Sequence, residues 1–400
     1  MIQDKYLYKI IDTYKRIKRE IYWKVFEKPI ASILYYLPMK KDRIIFDNFG
    51  GKGFGGNPKF IAEALHEKCN KIEIIWLEDN LEKFLFPEYI KPVKIDSILA
   101  LYMRSTACIW VDNIRHRHPM KKKKTQVYLQ TWHGSMGAKR VEKDAESLLT
   151  EKYTKEARYD GKITNAIIAD NHLQEQIYLR AFWLNKDAEI LRFGFPQNDE
   201  IEQDKDNIIK KTNLRKDLKL NESYYYVLYA PTFRDDFSTK GYEIDYEKII
   251  QAFESRMNKK TKIIVRLHPN VAFQKESIRF DDNILDGTDY PNIQDIALVS
   301  DAVISDYSSS LFDFAVLGKP AFVCALDYDE YKEKRGFIPE FYEFPFPFAK
   351  SNEELIGEIE NFDKEKYDKL LGDFYKKYPT YSDGHASEKV ADWVLGHMNL

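Results

Sequence analysis

Ser305-Asp306-Tyr307-Ser308-Ser309-Ser310-Leu311-Phe312-Asp313-Phe314 is the stretch on which the reading of this chain turns. An apolar run, Ala302-Val303-Ile304, leads into it, and the spacing of Leu311, Phe312, Phe314, Ala315 and Leu317 predicts a helix directly afterwards. Strand, hydroxyl-rich loop and helix follow one another without a gap. Gly318-Lys319-Pro320 then closes the helix, and Ala321 to Leu326 reads as the next strand. Alone, the serines read equally well as an N-cap. At the end of a strand, a helix start with hydroxyls and unpaired N–H groups also suits a phosphate.

The same alternation runs through most of the chain. Strands are expected at 43–46, 72–77, 107–111, 127–131 and 166–169, with helices at 57–66 and 97–104 between them. A charged stretch over 202–220 separates these from a second series at 224–230, 262–267, 302–305 and 321–324. Short buried strands alternating with helices predict an α/β fold of parallel, doubly wound sheets. A length of 400 residues accommodates two such domains at roughly 100–200 residues each. The expected organisation is amphipathic helices over 1–40, a Rossmann-like domain over 41–200, a linker over 201–222, a second Rossmann-like domain over 223–380 and a C-terminal helix over 381–400. Two such domains face each other across a cleft at the carboxyl ends of their strands, where ligands bind.

Composition removes several function classes. A net charge of −2 excludes a globally basic nucleic-acid binder. Cys69, Cys108 and Cys324 are scattered in apolar contexts, without zinc or disulfide spacing, so a reducing cytoplasm is the expected compartment. No signal-peptide core and no bilayer-spanning apolar run is visible. The first 38 residues stand apart. Lys5, Lys9, Lys15, Arg16, Lys18, Arg19 and Lys24 interleave with Tyr6, Tyr14, Ile17, Ile21, Trp23 and Phe26 at helical spacing, and Ile30 to Leu37 adds a second aromatic patch. A basic, Trp- and Tyr-rich amphipathic helix suits an anionic membrane surface; packing on the protein's own core is the competing reading.

Each remaining candidate follows an expected strand. Gln130-Thr131-Trp132-His133-Gly134-Ser135 offers His133 as a general base, since imidazole titrates near neutrality, or as a side chain capping the loop. Lys139 and Arg140 follow on the same loop or helix start and are candidates to meet a phosphate. Tyr229-Ala230-Pro231-Thr232-Phe233-Arg234 offers a guanidinium for bidentate contact with phosphate oxygens. In Arg266-Leu267-His268-Pro269, alternation places Arg266 and His268 on one face, toward one anion. The run Gly50 to Gly56 matches neither a P-loop nor a GxGxxG turn and reads as a mobile loop at the cleft rim. Asp327-Tyr328-Asp329 has the Asp-x-Asp form of metal-dependent sugar transferases but lies downstream of a second-domain strand, and no metal or cofactor is expected.

Taken together and in order, these motifs resemble the CDP-glycerol glycerophosphotransferase family of teichoic-acid primases and polymerases. The matching elements are Trp132-His133-Gly134, Tyr229 to Arg234, Arg266 to Pro269, Ser305 to Ser309 with Phe312-Asp313, and Lys319-Pro320 through Arg335-Gly336-Phe337, with an echo at Asp383 to Ser387. Three runs depart from the family pattern. Ser135-Met136-Gly137-Ala138-Lys139 replaces a Thr-Pro-Leu-Lys run, Gln197 replaces an Arg, and Pro345-Phe346-Pro347 replaces Pro-Gly-Pro.

The resemblance implies a GT-B type fold with the CDP-alditol in the second domain. It implies transfer of an alditol phosphate, glycerol phosphate favoured, to a hydroxyl of a lipid-linked acceptor, with CMP leaving. His133 and His268 would be catalytic. Thr232, Arg234, Arg266, His268, Ser308, Ser309 and Asp313 would bind the donor, Asp313 orienting the ribose or the helix itself. Lys139 and Arg140 would bind the acceptor. The enzyme would sit peripherally on the cytoplasmic face of the membrane. A nucleotide-sugar glycosyltransferase or epimerase of the same fold, and a non-catalytic membrane-bound nucleotide-binding protein, are the alternatives.

Overall fold

The computed structural model describes residues 18–19, 21–116, 120–135, 137–232, 234, 242–267, 271, 275–276, 278–290 and 292–398. Strands β1 (Lys40–Asp47), β2 (Glu73–Glu78), β3 (Ile90–Lys94), β4 (Ala107–Asp112), β5 (Val127–Gln130), β6 (Ala166–Ile168) and β7 (Glu189–Leu191) form one parallel sheet, ordered β3-β2-β1-β4-β5-β6-β7. Strands β8 (Tyr225–Tyr229), β9 (Thr261–Val265), β10 (Ile284–Asp286), β11 (Ala302–Ser305), β12 (Ala321–Cys324) and β13 (Phe348–Ala349) form a second, ordered β10-β9-β8-β11-β12-β13. The direction of winding reverses between β1 and β4 in the first sheet and between β8 and β11 in the second. Those reversals leave crevices at the carboxyl ends of the strands.

Alternation along the strands explains the layers. Ile44, Phe46, Trp76 and Ile109 face one side of the first sheet, and Ile45, Ile75, Trp110 and Tyr128 the other, all of them buried. The second sheet's core does not stop at its own domain. It runs from Val227, Ile304 and Phe322 through Tyr307 and Phe337 to Leu173, Tyr178 and Phe182 of the first domain. The two domains therefore share apolar surface and are not merely tethered.

The chain's two ends both pack on the first domain. Of the N-terminal segment, residues 1–17 lie outside the described residues. In the remainder, Trp23 is buried with Ile30, Ala31 and Leu34 against the first domain's core, while Ile21, Val25, Phe26, Ile33 and Tyr36 stay exposed. The core-packing reading thus holds for the face that carries Trp23. The final helix, Ala386–His397, returns to the first domain, where Val390, Ala391 and Val394 pack with Ile61 and Leu65. Asp199 fixes its start, accepting from the backbone N–H of Ala386 at 2.8 Å and of Ser387 at 2.7 Å. Among the described residues no helix is long and apolar enough to cross a membrane.

Candidate active site

β5 ends at Gln130, and the chain turns sharply into the loop that carries His133. Trp132 takes a left-handed backbone with φ 53°, a costly conformation for a bulky side chain. It is held there by Gln130, whose Oε1 accepts from the Trp132 N–H at 2.9 Å, and by Asn57, whose Nδ2 donates to the Trp132 carbonyl at 3.1 Å. The turn delivers His133 against the carboxyl end of β4. There the ring sits 2.7 Å from the Asn113 carbonyl through Nδ1 and packs beside Phe49 and Trp132. A carbonyl only accepts, so Nδ1 carries the hydrogen and Nε2 keeps its lone pair. Burial lowers the imidazole pKa to about 4, the Asn113 carbonyl opposes this, and the charge of Lys139 adds to the lowering. His133 is a neutral base at physiological pH.

The following residues strap the domains together. The backbone N–H of Ala138 donates to Tyr307 at 3.3 Å, that of Ile338 to Ala138 at 3.0 Å, and that of Arg140 to Gly336 at 3.2 Å. The strap presses Gly134 onto the phosphate-site candidate, since a Cβ at Gly134 would lie 3.1 Å from Ser309 Oγ. The His133 loop and the Ser308-Ser309 turn, distant in sequence, are thus in direct contact across the cleft. Ser308 Oγ accepts from the Ser310 N–H at 3.2 Å and is met by the Ser310 hydroxyl at 3.0 Å. Ser309, at the N-cap position, makes no side-chain cap, so the capping reading of the serines is not met there.

Several expected site residues have other tasks. Arg234 is almost wholly buried and gives its fork to a carboxylate, not a phosphate. Its Nε and Nη2 donate to Asp327 at 2.6 and 2.9 Å, and Nη2 lies 2.8 Å from Asp306. The guanidinium also lies over the rings of Tyr307 and Tyr331. Asp327, considered for a metal, is thus an ion-pair partner. The pair shapes the site from behind, because Asp306 also accepts from the backbone N–H of Thr232 at 2.9 Å. Thr232 Oγ1 is buried without a hydrogen-bond partner among the described residues. It lies three residues after the end of β8.

Arg266 donates to the carbonyls of Gly287, at 3.1 Å, and Tyr290, and its burial lowers its pKa. It fastens the loop after β10. Its expected companion His268 lies outside the described residues. Arg140 donates through Nε to the Phe337 carbonyl at 3.1 Å and covers Gly336, and Lys139 pairs with Phe337 in a β-bridge. Both belong to the strap. Asp313 lines a pocket with Asp170 and Ser135.

The glycine run is also tied down. Gly51 N–H donates to Asp47 and Gly53 N–H to Glu78, each at 2.8 Å, and Gly50, Gly51, Gly53 and Gly56 all take positive φ. The expected mobile loop is a fixed support. Sequence reasoning also missed Asn113, wholly buried, which holds this support and His133 together. Its Oδ1 accepts from the Phe49 N–H at 2.7 Å, and its Nδ2 donates to Asn48 at 2.7 Å. The signal was present in Asp112-Asn113 at a strand end, but a polar pair there is common.

Comparison with known proteins follows the same lines. The profile of the CDP-glycerol:poly(glycerophosphate) glycerophosphotransferase family matches residues 30–396. The chain is 31% identical to the teichoic acid poly(glycerol phosphate) polymerase of Bacillus subtilis (strain 168), over 92% of this chain but 50% of that protein. It therefore spans about half the length of that relative. With the polymerase of the same description from Bacillus spizizenii (strain ATCC 23059 / NRRL B-14472 / W23) it shares 29% identity, over 97% of this chain and 99% of that one. The solved structure of the wall teichoic acid polymerase TagF superposes with a TM-score of 0.80 at 26% identity, covering 97% of this chain and 98% of that chain. The same polymerase has been seen after soaking with CDPG. With two facing parallel sheets of GT-B type, a histidine loop closed onto a serine turn, and a profile match over nearly its whole length, the chain belongs to the CDP-glycerol:poly(glycerophosphate) glycerophosphotransferase family.

Proposed function

We propose that this chain transfers an alditol phosphate, glycerol phosphate in preference, from a CDP-alditol to a hydroxyl of a lipid-linked polymer acceptor, releasing CMP. The observation that carries this reading is the contact of the His133 loop with Ser309. It puts a neutral base and a hydroxyl-lined helix start into one crevice. The acceptor hydroxyl gives its proton to His133 Nε2 as its oxygen attacks the alditol-bearing phosphorus. The bridging P–O bond breaks, and the electron pair leaves on the phosphate of CMP. Ser308, Ser309 and the spare hydroxyl of Thr232 receive the diphosphate. Arg234 works through Asp306 to hold Thr232 in place. Fixed donors of this kind stabilise leaving-group charge without reorganisation.

The acceptor is lipid-linked, and the chain works peripherally on the cytoplasmic face of an anionic membrane. Support comes from the outward side of the N-terminal helices. Ile33 and Tyr36 are 73% and 82% exposed there, and Lys121 lies over the Tyr35 ring at 4.3 Å, at the start of the Lys121 to Lys124 run. Apolar side chains beside lysines match the headgroup zone.

The test is incubation of purified protein with CDP-glycerol and CDP-ribitol in parallel, with an acceptor polymer, reading CMP release and product mass. Release of CMP with a product heavier by one or more alditol phosphates is expected, faster with CDP-glycerol. A product carrying a sugar from a nucleotide sugar, or no turnover of either donor, overturns the proposal.

A further inference from the structure

Phe49 stands two residues beyond the end of β1, and Asn113 directly follows β4. The first sheet reverses its winding between these two strands, which is where an open α/β sheet takes a ligand. Phe49 is 37% exposed at that point, and its ring centroid lies 5.2 Å from that of His133. A single exposed apolar side chain is ordinary on a protein surface. Two further observations set this one apart.

The first is its backbone. Phe49 takes φ 50°, a left-handed conformation that is costly for a bulky side chain and easy for asparagine or glycine. The surrounding turn enforces it. The Phe49 N–H donates to Asn113 Oδ1 at 2.7 Å, the Lys52 N–H to the Asn48 carbonyl at 2.8 Å, and Asn48 Nδ2 to the Gly53 carbonyl at 3.1 Å. Gly50 and Gly51 follow with positive φ of their own. Glycine fills the two later positions of this turn, yet phenylalanine fills the first. Strain kept in this way beside a reactive group points to a use for the side chain.

The second observation is the shared anchor. Asn113, wholly buried, holds Phe49 through its side chain and His133 through its carbonyl, at 2.7 Å in both cases. The phenyl ring and the imidazole are therefore fixed relative to one another. Trp132 adds a second apolar ring, its centroid 4.5 Å from that of the imidazole.

Transfer through His133 raises a problem of selectivity. Its Nε2 keeps a lone pair, and water is far more abundant than any acceptor. Water in the acceptor's place would give its proton to Nε2 as its oxygen bonds to the alditol-bearing phosphorus. The bridging P–O bond would break, its electron pair would leave on the phosphate of CMP, and free glycerol phosphate would result. A base alone discriminates poorly between two O–H groups, so its surroundings must do so. A water molecule against an apolar ring loses hydrogen bonds on that side. An alcohol turns its carbon-bound hydrogens to the ring and loses none.

We propose that Phe49 is a specificity-determining residue: its ring keeps the place beside His133 for a carbon-borne hydroxyl and excludes water, so that the CDP-alditol is transferred and not hydrolysed. The inference rests on the transferase reading above and adds the group that suppresses the competing reaction. Asn113 is the positioning residue that holds the ring by the base.

Purified full-length protein is incubated with CDP-glycerol and a synthetic oligo(glycerol phosphate), and phosphorus NMR with mass spectrometry measures free glycerol phosphate against elongated oligomer. In the wild type elongation dominates. Phe49→Ala is expected to raise the ratio of hydrolysis to elongation about tenfold, the scale of one hydrogen bond no longer denied to water. Phe49→Leu, apolar and unbranched at Cβ, keeps the ratio near the wild-type value. Phe49→Asn suits the left-handed backbone, so it tests the same point if Phe49→Ala does not fold, and it too favours hydrolysis. A ring that merely braced the imidazole would, once removed, slow both reactions alike. An unchanged ratio in folded Phe49→Ala or Phe49→Asn therefore overturns the proposal, as does a ratio in Phe49→Leu as high as in those variants. If the wild type releases CMP by hydrolysis alone, or not at all, the transferase reading falls and this inference with it.

Discussion

His133 is held by a carbonyl on one ring nitrogen and lies beside two aromatic rings, and the role proposed for it follows from that restraint. The Asn113 carbonyl selects the tautomer, and burial keeps the ring uncharged. His133→Ala is expected to lower turnover about 10²-fold or more, the scale of general-base loss, with CDP-glycerol affinity nearly unchanged in calorimetry. A mutant with near wild-type turnover would remove His133 from the chemistry. The pH profile tests the environment separately. A base must be unprotonated to act, so kcat/KM rises with pH through the free-enzyme pKa and is flat above it. The acid limb is expected near pH 4, where the imidazole titrates, and Lys139→Met is expected to move it upward by removing a repelling charge. A limb at the ordinary histidine value near 6.5 would show that the ring is solvated. The position of His133 at a strand end was legible in the sequence because Trp-His-Gly follows an apolar run. The task of Arg234 was not: its partners Asp306 and Asp327 lie 72 and 93 positions further along the chain, and nothing local announces that a guanidinium is already taken.

Central and edge elements differ sharply in how far their sequences reveal them. β1, β2, β4, β5, β6, β8, β9, β11 and β12 were all expected close to their observed bounds, because burial on both faces demands continuous apolar runs. The four strands that were not expected, β3, β7, β10 and β13, are the four edges of the two sheets. An edge strand has one neighbour and solvent beyond it, so its pattern is diluted. β3 buries only Ile90 and Val93 and exposes Lys91, Pro92 and Lys94, and β13 is two residues long. Pro is tolerated there because its missing N–H faces no partner. Helix packing supplies a further test. Gly161 lies near the end of the helix Glu151–Ile163, and a Cβ on it would come within 2.3 Å of the Phe182 carbonyl oxygen and 2.6 Å of that of Trp183. Helix propensity alone says that Gly161→Ala stabilises by roughly 0.5–1 kcal/mol. Overpacking against a backbone costs about 1–3 kcal/mol and wins. Urea denaturation is expected to show net loss, and a stabilised variant would mean that the helix can move away from the 182–183 turn.

At the scale of the whole molecule, the first domain is organised around a buried network of charges beneath the crevice, and its titration governs the pH range of stability. Arg104 pairs with Asp47 at 2.9 Å, Arg115 with Asp160 at 2.7 Å, and His116 with Asp112 at 2.5 Å and Asp160 at 2.8 Å. These side chains come from β1, β4, the loop after β4, the helix Ile98–Thr106 and the helix Glu151–Ile163, so the network closes the domain across its sequence. It also abuts Asn113, which carries the carbonyl on His133. Burial opposes a charge on His116, but Asp112 and Asp160 overcome it and raise its pKa to about 9. Burial likewise works against charge on Asp160, and His116 and Arg115 lower it to about 2. The signs then follow. The histidine's contribution is complete below its unfolded pKa near 6.5 and is lost as pH rises through 9. The aspartate's is complete above its unfolded value near 3.9 and is lost as pH falls through 2. For His116 the difference in proton affinity corresponds to about 3 kcal/mol at 1.36 kcal/mol per tenfold change. Chemical denaturation at pH 6 and pH 9.5 is therefore expected to show the wild type losing about 3 kcal/mol more than His116→Gln between the two, because only the wild type sheds a bound proton. Equal losses in both proteins would mean that His116 is already neutral at pH 6 and that the domain is closed by its arginine pairs alone.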